Sequence, residues 1–322
     1  MSYGVLVVVI AAILDYLIAD PIGWLHPVQV MGWFISQLSQ LAFKYCQTPL
    51  TQRIAGILLG LIVIIGSLLI SLGITRIAHQ LHPRCGIFIE SVMLASCFAG
   101  KGLRNAANLV ISPLIAGDID QARTILSQYV GRDTENLSSA EIYRAVLETV
   151  TENATDGVTA PLFYAIVGLF IPTIGAVPMA FAYKASSTLD SMIGYRQPPY
   201  TYLGTFSAKL EDFFTWLPCR FTVLTLGLIS LRPLQVWRIC QRDAPNDPSP
   251  NSGWSECVYA AILGVQVGGK NTYRGVVKEK PLLGDNLRPI TSDVINQALD
   301  LTRTCVLVWL GLLVIWGVGS RK

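Results

Sequence analysis

The apolar positions of this chain run in long uninterrupted stretches. From Ile54 to Thr75 there are 22 residues without a formal charge, and from Thr304 to Gly319 another 16. At about 1.5 Å of helical rise per residue, the first stretch spans a hydrocarbon core of ~30 Å and the second nearly does. Five segments are expected to be membrane-embedded: 5–19, 54–75, 158–182, 217–231 and 304–319. The third holds Pro161, Gly168, Pro172, Gly175 and Pro178, so it is expected to be kinked or broken. Such breaks occur at membrane depth where the backbone lines protein or a watery cavity. Ile87–Ala99 is short and carries Glu90, which suggests a buried or re-entrant piece. Between Asp243 and Ser252 the chain is rich in Pro, Asn and Asp, a linker-like stretch ahead of a helix starting near Ser252–Ser255.

Composition agrees with this pattern. Of 322 residues, 52% are hydrophobic and 14% charged, and the net charge is only +3. That argues against disorder and against a basic nucleic-acid-binding protein. The expected fold is all-α: a polytopic helical membrane bundle forming one domain over residues 1–322. Residues 1–19 carry no basic leader and are interrupted by Asp15, so they read as a first membrane helix rather than a cleaved signal. If all five segments cross, connections 76–157 and 232–303 share one side and hold 16 of the 24 Lys and Arg, which the positive-inside tendency assigns to the cytoplasm. The expected location is the cell (inner or plasma) membrane. Seven scattered cysteines give neither a disulfide framework nor a zinc site, and His79 and His82 lack a third ligand nearby.

Polar residues cluster in the connections and at the helix ends. Asp15 lies within the first apolar segment, where a carboxylate costs roughly 2.5–3.5 kcal/mol and normally faces protein or water. Beyond it, Asp20-Pro21 leads to His26-Pro27-Val28. Gly100-Lys101-Gly102-Leu103-Arg104 sets two cations beside glycines, an arrangement able to approach a phosphate closely. Gly264–Asn271 approximates a P-loop, but Asn replaces the Mg²⁺-binding hydroxyl and a helix-like stretch precedes it, so that reading is rejected. Ser138-x-x-Glu141 is a capping box opening a helix. On that helix Glu141, Glu148 and Glu152 fall within about 40° of one another, with Asp156 roughly 40° beyond. Asn153 and Thr155 flank the stripe. Such a face repels itself unless a cation compensates it, and Mg²⁺ shared with a nucleotide is a natural partner, with a solvated acidic face as the alternative. Lys184, Thr188 and Ser191 share another helical face, suited either to a phosphate or to close helix packing. Arg220, inside an apolar run, needs a partner, for which Asp212 is near enough in sequence. The 243–253 stretch, with Asn251, would form a rigid, donor-rich lid. No Ser-His-Asp or Cys-His arrangement can be assembled.

In order along the chain, these blocks resemble the membrane-bound adenosylcobinamide-phosphate synthases (cobinamide synthases, CobD/CbiB) of cobalamin biosynthesis. The resemblance rests on Asp20-Pro21 with His26-Pro27-Val28, Gly100-Lys101-Gly102-Leu103 and Gly131-Arg132-Asp133. It continues through Glu148-Thr149-Val150-x-Glu152-Asn153-x-x-Asp156-Gly157 and Tyr183-Lys184-x-x-x-Thr188-Leu189-Asp190-Ser191-Met192. The last block is Asp243-Ala244-x-x-x-x-Ser249-Pro250-Asn251-Ser252-Gly253. The resemblance implies an ATP-dependent amide ligation that joins a carboxylate of the corrinoid adenosylcobyric acid to (R)-1-amino-2-propanol or its O-phosphate. On that chemistry Glu148, Glu152 and Asp156 are candidates for Mg²⁺. Lys101, Arg104, Arg132 and Lys184, with Asn153, Thr188 and Asn251, are candidates for ATP, and Asp190 or His26 for the base. Other membrane enzymes of cobamide assembly are expected partners, and nucleic acid is not. An intramembrane prenyl- or phospho-alcohol transferase would also want carboxylates around Mg²⁺, but a second acidic cluster is missing. A transporter would show internal repeats, and none is visible.

Overall fold

The computed structural model describes residues 3–18 and 26–319. Asp20-Pro21 and the stretch to Leu25 therefore lie outside the described residues. In chain order the helices are α1 (Tyr3–Ile18), α2 (Pro27–Tyr45), α3 (Pro49–Leu81), α4 (Pro83–Ala95), α5 (Gly100–Ile115), α6 (Ile119–Leu126) and α7 (Ser139–Ala154). They continue as α8 (Ala160–Leu169), α9 (Ala176–Ile193), α10 (Thr205–Ile229), α11 (Pro233–Asp243), α12 (Ser252–Leu263) and α13 (Ser292–Gly319). A turn of π-helix, Thr155–Thr159, links α7 to α8. One antiparallel hairpin, β1 (Val267–Tyr273) and β2 (Val276–Leu283), is added to the helices.

The protein is a polytopic helical membrane protein. Among the described residues four stretches are long and apolar enough to span a bilayer, Pro49–Leu81, Pro83–Ile115, Thr205–Ile229 and Ser292–Gly319, and α1 is a shorter apolar helix. Ile87–Ala99 thus belongs to a longer apolar stretch, interrupted where the α-helix stops after Ala95 and resumes at Gly100. The expected break in segment 158–182 is present. Helix α8 ends at Leu169, Pro172 follows in the turn, and Gly175 at φ +90° opens α9. Both termini of that break are held: Arg76 donates to the Thr173 carbonyl at 3.0 Å, and Gly168 packs so closely on the Gly175 carbonyl that a Cβ would lie 2.2 Å from it.

The contacts divide the chain into two compact units. The first comprises residues 1–99, 160–215 and 309–322. In it α9 packs against α2, α3, α4 and α8, while α1 packs on α4 and α8. Two tyrosines, Tyr183 buried and Tyr164 half-buried, organise its interior: they stack at 5.0 Å, and their hydroxyls bond to the Thr215 hydroxyl and the Phe214 carbonyl at 2.9 Å each. His79 here contacts Tyr3 and Glu90, whereas His82 caps α4 through its Nδ1.

The second unit comprises residues 100–159 and 216–308. Helices α5, α6 and α7 pack together, α12 lies on α7 and α11, and the hairpin contacts α7, α11 and α12. The hairpin turns at Arg274-Gly275, both at positive φ (51° and 76°). That is the backbone a tight two-residue turn between right-twisted strands requires, and the second position suits glycine.

Candidate functional site

Helix α7 starts as its sequence dictates. The Glu141 carboxylate accepts from the Ser138 N–H at 2.8 Å and the Ser138 hydroxyl at 2.7 Å, and these bonds hold its carboxyl below the usual range. Glu141, the first member of the acidic stripe, is therefore spent on the cap.

Two turns later Glu148 is 2% exposed. One of its oxygens pairs with Arg132 and the other accepts from the Gly268 N–H at 2.9 Å. Arg132 also donates to Asn271 Oδ1 at 2.8 Å, an oxygen shared with Arg144 at 3.1 Å. Gly268 sits at φ +89° with the Pro281 carbonyl 2.0 Å from where a Cβ would be, so only glycine fits that crossing of β1 and β2. The neighbouring Asp133 accepts from the N–H groups of Arg274 and Gly275 at 2.8 Å each, and its own N–H donates to the Thr272 carbonyl at 2.8 Å. Gly131-Arg132-Asp133 is thus a clamp: Arg132 ties the hairpin to α7, and Asp133 fixes its turn.

The clamp presents Lys280, on β2, to the interior of the unit. Its ammonium lies 3.4 Å from Glu256 on α12, a carboxylate only 1% exposed. Glu152 of α7 and Asp247 of the loop after α11 act on the same charge, and both Glu148 and Glu152 act on Glu256. Burial, opposed by Lys280 and reinforced by the surrounding carboxylates, pushes the Glu256 carboxyl up to about 8. Burial raises Glu152 as well, with Lys280 opposing. The loop bearing Asp247 is firmly built. Its carboxylate accepts from the Ser249 N–H at 2.8 Å and the Ser252 hydroxyl at 3.3 Å. Gly253 leaves no room for a Cβ, which would lie 2.6 Å from Asp247. Asp243 anchors the start of the loop through Arg242 at 2.7 Å and the Gly284 N–H at 2.9 Å. Although burial opposes it, these bonds hold its carboxyl below the ordinary range.

This electrostatic arrangement has a direct consequence. The folded carboxyl of Glu256 ionises near 8 against 4.5 in the unfolded chain, so the native state binds the extra proton between those values. Stability must then fall as pH rises through that window. Glu256→Gln is expected to remove this slope and, in EDTA at pH 8, to raise the melting temperature by at least about 3 °C. Thermal melts of both proteins from pH 5 to 8.5 check it; parallel curves would refute it.

The sequence-selected residues are distributed as follows. Arg132, Glu148, Glu152, Asn153, Asp156, Asn251, Lys101 and Arg104 belong to the second unit, and His26, Lys184, Thr188 and Asp190 to the first. Arg132, Glu148 and Glu152 come together. Glu148 has both oxygens engaged, and among the described residues no three His, Cys, Asp or Glu groups are gathered at metal-holding distances. Asp156 lies half-buried in the π-helical turn. Asn153 is exposed and donates back to the Thr149 carbonyl at 2.9 Å. Asn251 is buried, with its carbonyl accepting from Cys219. Arg104 pairs with Asp300 at 2.7 Å, and Lys101 stands half-buried in the first turn of α5. In the first unit, the His26 Nδ1 caps α2 by accepting from the Val28 N–H at 3.2 Å. The Thr188 and Ser191 hydroxyls donate to carbonyls of their own helix, at 2.7 and 3.0 Å.

Arg220 departs from expectation. Its guanidinium donates to the Pro250 carbonyl at 2.9 Å and lies 4.5 Å from the Trp254 ring. Asp212, eight residues earlier on α10, is about 12 Å away along the axis and off the same face. Three residues of the cluster are not among the sequence candidates: Glu256, Lys280 and Asp247, the last inside the stretch read only as a lid. Glu256 was visible as the one carboxylate in the otherwise apolar stretch Ser252–Leu263. A P-loop comparison over 264–271 does not reach Lys280, whereas the alternation flanking Arg274-Gly275 is a hairpin signal.

Comparison with known proteins agrees with this picture at the level of the family. The CobD/CbiB protein family model matches residues 8–302. The chain is 52% identical to a cobalamin biosynthesis protein CobD of Synechocystis sp. over 311 residues, covering 96% of this chain and 91% of the relative. It is 40% identical to the cobalamin biosynthesis protein CbiB of Salmonella typhi over 304 residues, covering 93% and 91%. A Citrobacter koseri cobalamin biosynthesis protein CobD matches at the same 40% identity. No solved structure matches. With clamp, hairpin and carboxylate cluster all inside the matched range, the chain belongs to the CobD/CbiB family.

Proposed function

We propose that this protein acts in cobalamin biosynthesis as an ATP-dependent acid–amine ligase, joining a carboxylate of adenosylcobyric acid to (R)-1-amino-2-propanol or its O-phosphate. The observation that carries the reading is the convergence of Glu152, Glu256 and Asp247 on Lys280, backed by the Glu148–Arg132 pair. A carboxylate and an amine do not condense usefully in water. The acid is therefore activated as an acyl phosphate, releasing ADP, and the free amine displaces phosphate as the C–N bond forms. Phosphoryl transfer needs cationic donors at the migrating group. Lys280, half-buried among these carboxylates, is our candidate for that role, with Lys101 as a further one. The amine must first lose a proton. Glu256 suits that task because a base poised near neutrality is most effective.

The donor set also fits a hard divalent cation. Carboxylate oxygens are the ligands Mg²⁺ takes, one or two at a time alongside phosphate oxygens. Glu152 and Asp247 would hold it, whereas Glu148 is committed to Arg132. When bound, Mg²⁺ would neutralise the nucleotide phosphates.

The test is an assay of purified protein in detergent with adenosylcobyric acid, Mg-ATP and (R)-1-amino-2-propanol O-phosphate. Mass spectrometry should find the amide, formed with one ADP per product and only when both ATP and amine are present. Well-folded protein yielding neither amide nor ADP would defeat the proposal.

A further inference from the structure

A cavity of about 370 Å³ in the second unit has none of Glu148, Glu152, Asp247 or Glu256 in its lining. Its lining includes Arg232, Gln235, Gly264, Asp285, Leu287 and Arg288. The two arginines share one feature of position. Arg232 comes three residues after α10 ends at Ile229, and Arg288 four residues before α13 begins at Ser292. Both helices are long and apolar enough to span a bilayer. Arg232 therefore stands where the apolar α10 meets the headgroup layer, the level to which arginine reaches in membrane proteins, and Arg288, ahead of the polar first turns of α13, lines the same cavity.

The apolar residues beside them are turned outward. Leu231 is 88% exposed, Leu234 72% and Leu287 76%. Leu231 also holds φ +57°, a left-handed conformation that a leucine seldom adopts. Helix α11, next along the chain, buries Val236, Ile239 and Cys240 and leaves Trp237 partly outside. Helix α11 thus packs its apolar side on the protein, and the outward apolar surface here is that of Leu231, Leu234, Trp237 and Leu287.

The charges in the cavity are unequally occupied. Asp285 is engaged by Arg242 at 2.8 Å. The carbonyls ending α12 are covered as well: Leu263 accepts from Arg288 Nε at 2.6 Å, and Gly264 from the N–H groups of Leu287 and Arg288. Arg288 spends a second nitrogen on Gln297 at 2.7 Å. Among the described residues the Arg232 guanidinium has no hydrogen-bond or ion-pair partner.

We propose that this corner is a binding site for the phosphodiester headgroup of an anionic phospholipid, gripped by Arg232 and Arg288, with its acyl chains along Leu231, Leu234 and Leu287. Arginine matches a phosphate's oxygens in a planar fork, and basic pockets beside membrane helices favour anionic headgroups. The exposed leucines supply what a soluble anion would not use.

The experiment uses the full chain in a neutral detergent, with phosphatidylglycerol, phosphatidylcholine and inorganic phosphate each titrated in thermal melts. Native mass spectrometry counts the lipid retained. Phosphatidylglycerol should give a saturable rise in melting temperature and one retained lipid, and phosphatidylcholine neither. Arg232→Gln should weaken the phosphatidylglycerol midpoint at least fivefold, and Arg232→Gln with Arg288→Gln should abolish it. Because Arg232 makes no side-chain bond to the fold, the single variant keeps the test independent of folding. An unchanged midpoint in Arg232→Gln would overturn the proposal. So would a rise with inorganic phosphate equal to that with the lipid, which would mark a small-anion site instead.

Discussion

Arg132→Met is expected to destabilise the second unit by about 3–5 kcal/mol, the usual cost of stranding one member of a buried ion pair. The Glu148 carboxylate, 2% exposed, would keep only the Gly268 N–H, and Asn271 would lose its donor from Arg132. At roughly 2–4 °C per kcal/mol, the melting temperature should drop by roughly 6–20 °C. Adding Glu148→Leu should return much of the loss, because replacing both charges by apolar groups is often neutral. Thermal melts of the two single variants and the double variant form the cycle. A fall of less than about 3 °C in Arg132→Met, or an additive double variant, would mean that the pair is not what ties the hairpin to α7.

Glu152→Gln is expected to lower the rate of amide formation at least about a hundredfold, equivalent to ~2.7 kcal/mol of lost transition-state stabilisation. The fold should survive. Burial raises the Glu152 carboxyl, with Asp247 and Glu148 repelling it against the pull of Lys280, so the amide removes a desolvated charge and the melting temperature should hold or rise. Loss of rate with retained stability separates a functional carboxylate from a structural one. The readout is amide formed per minute under saturating Mg-ATP, with melts in parallel. Wild-type rates in this variant would remove Glu152 from the reaction and, with it, the reason for reading the cluster as a site.

How much of this was legible in the sequence varies with the range of the interaction. The capping box at Ser138 and Glu141 is local and was read correctly, because cap and acceptor lie three residues apart. So was the break around Pro172 and Gly175, where single residues forbid a continued helix. The stripe of Glu141, Glu148 and Glu152 was also visible, since helical periodicity sets it. Periodicity could not say that each member has a different environment. Glu141 caps its own helix, Glu148 is tied to Arg132 and β1, and Glu152 interacts with Lys280 and Asp247 without an ion-pair clamp of its own. The pairing of Arg220 failed for a related reason: closeness along a helix is not closeness around it.

The sequence by itself determined the membrane character, the helical class and the family, because uncharged runs, breakers and ordered blocks are properties of the chain alone. Only the tertiary structure decided what the ordered blocks do. Gly131-Arg132-Asp133 became a clamp once a hairpin more than 130 residues away offered its turn amides and Asn271. Lys280 and Glu256, 24 positions apart, became partners only when β2 packed on α12. A buried charge takes its role from whatever shares its low-dielectric surroundings, and those neighbours are chosen by folding rather than by spacing.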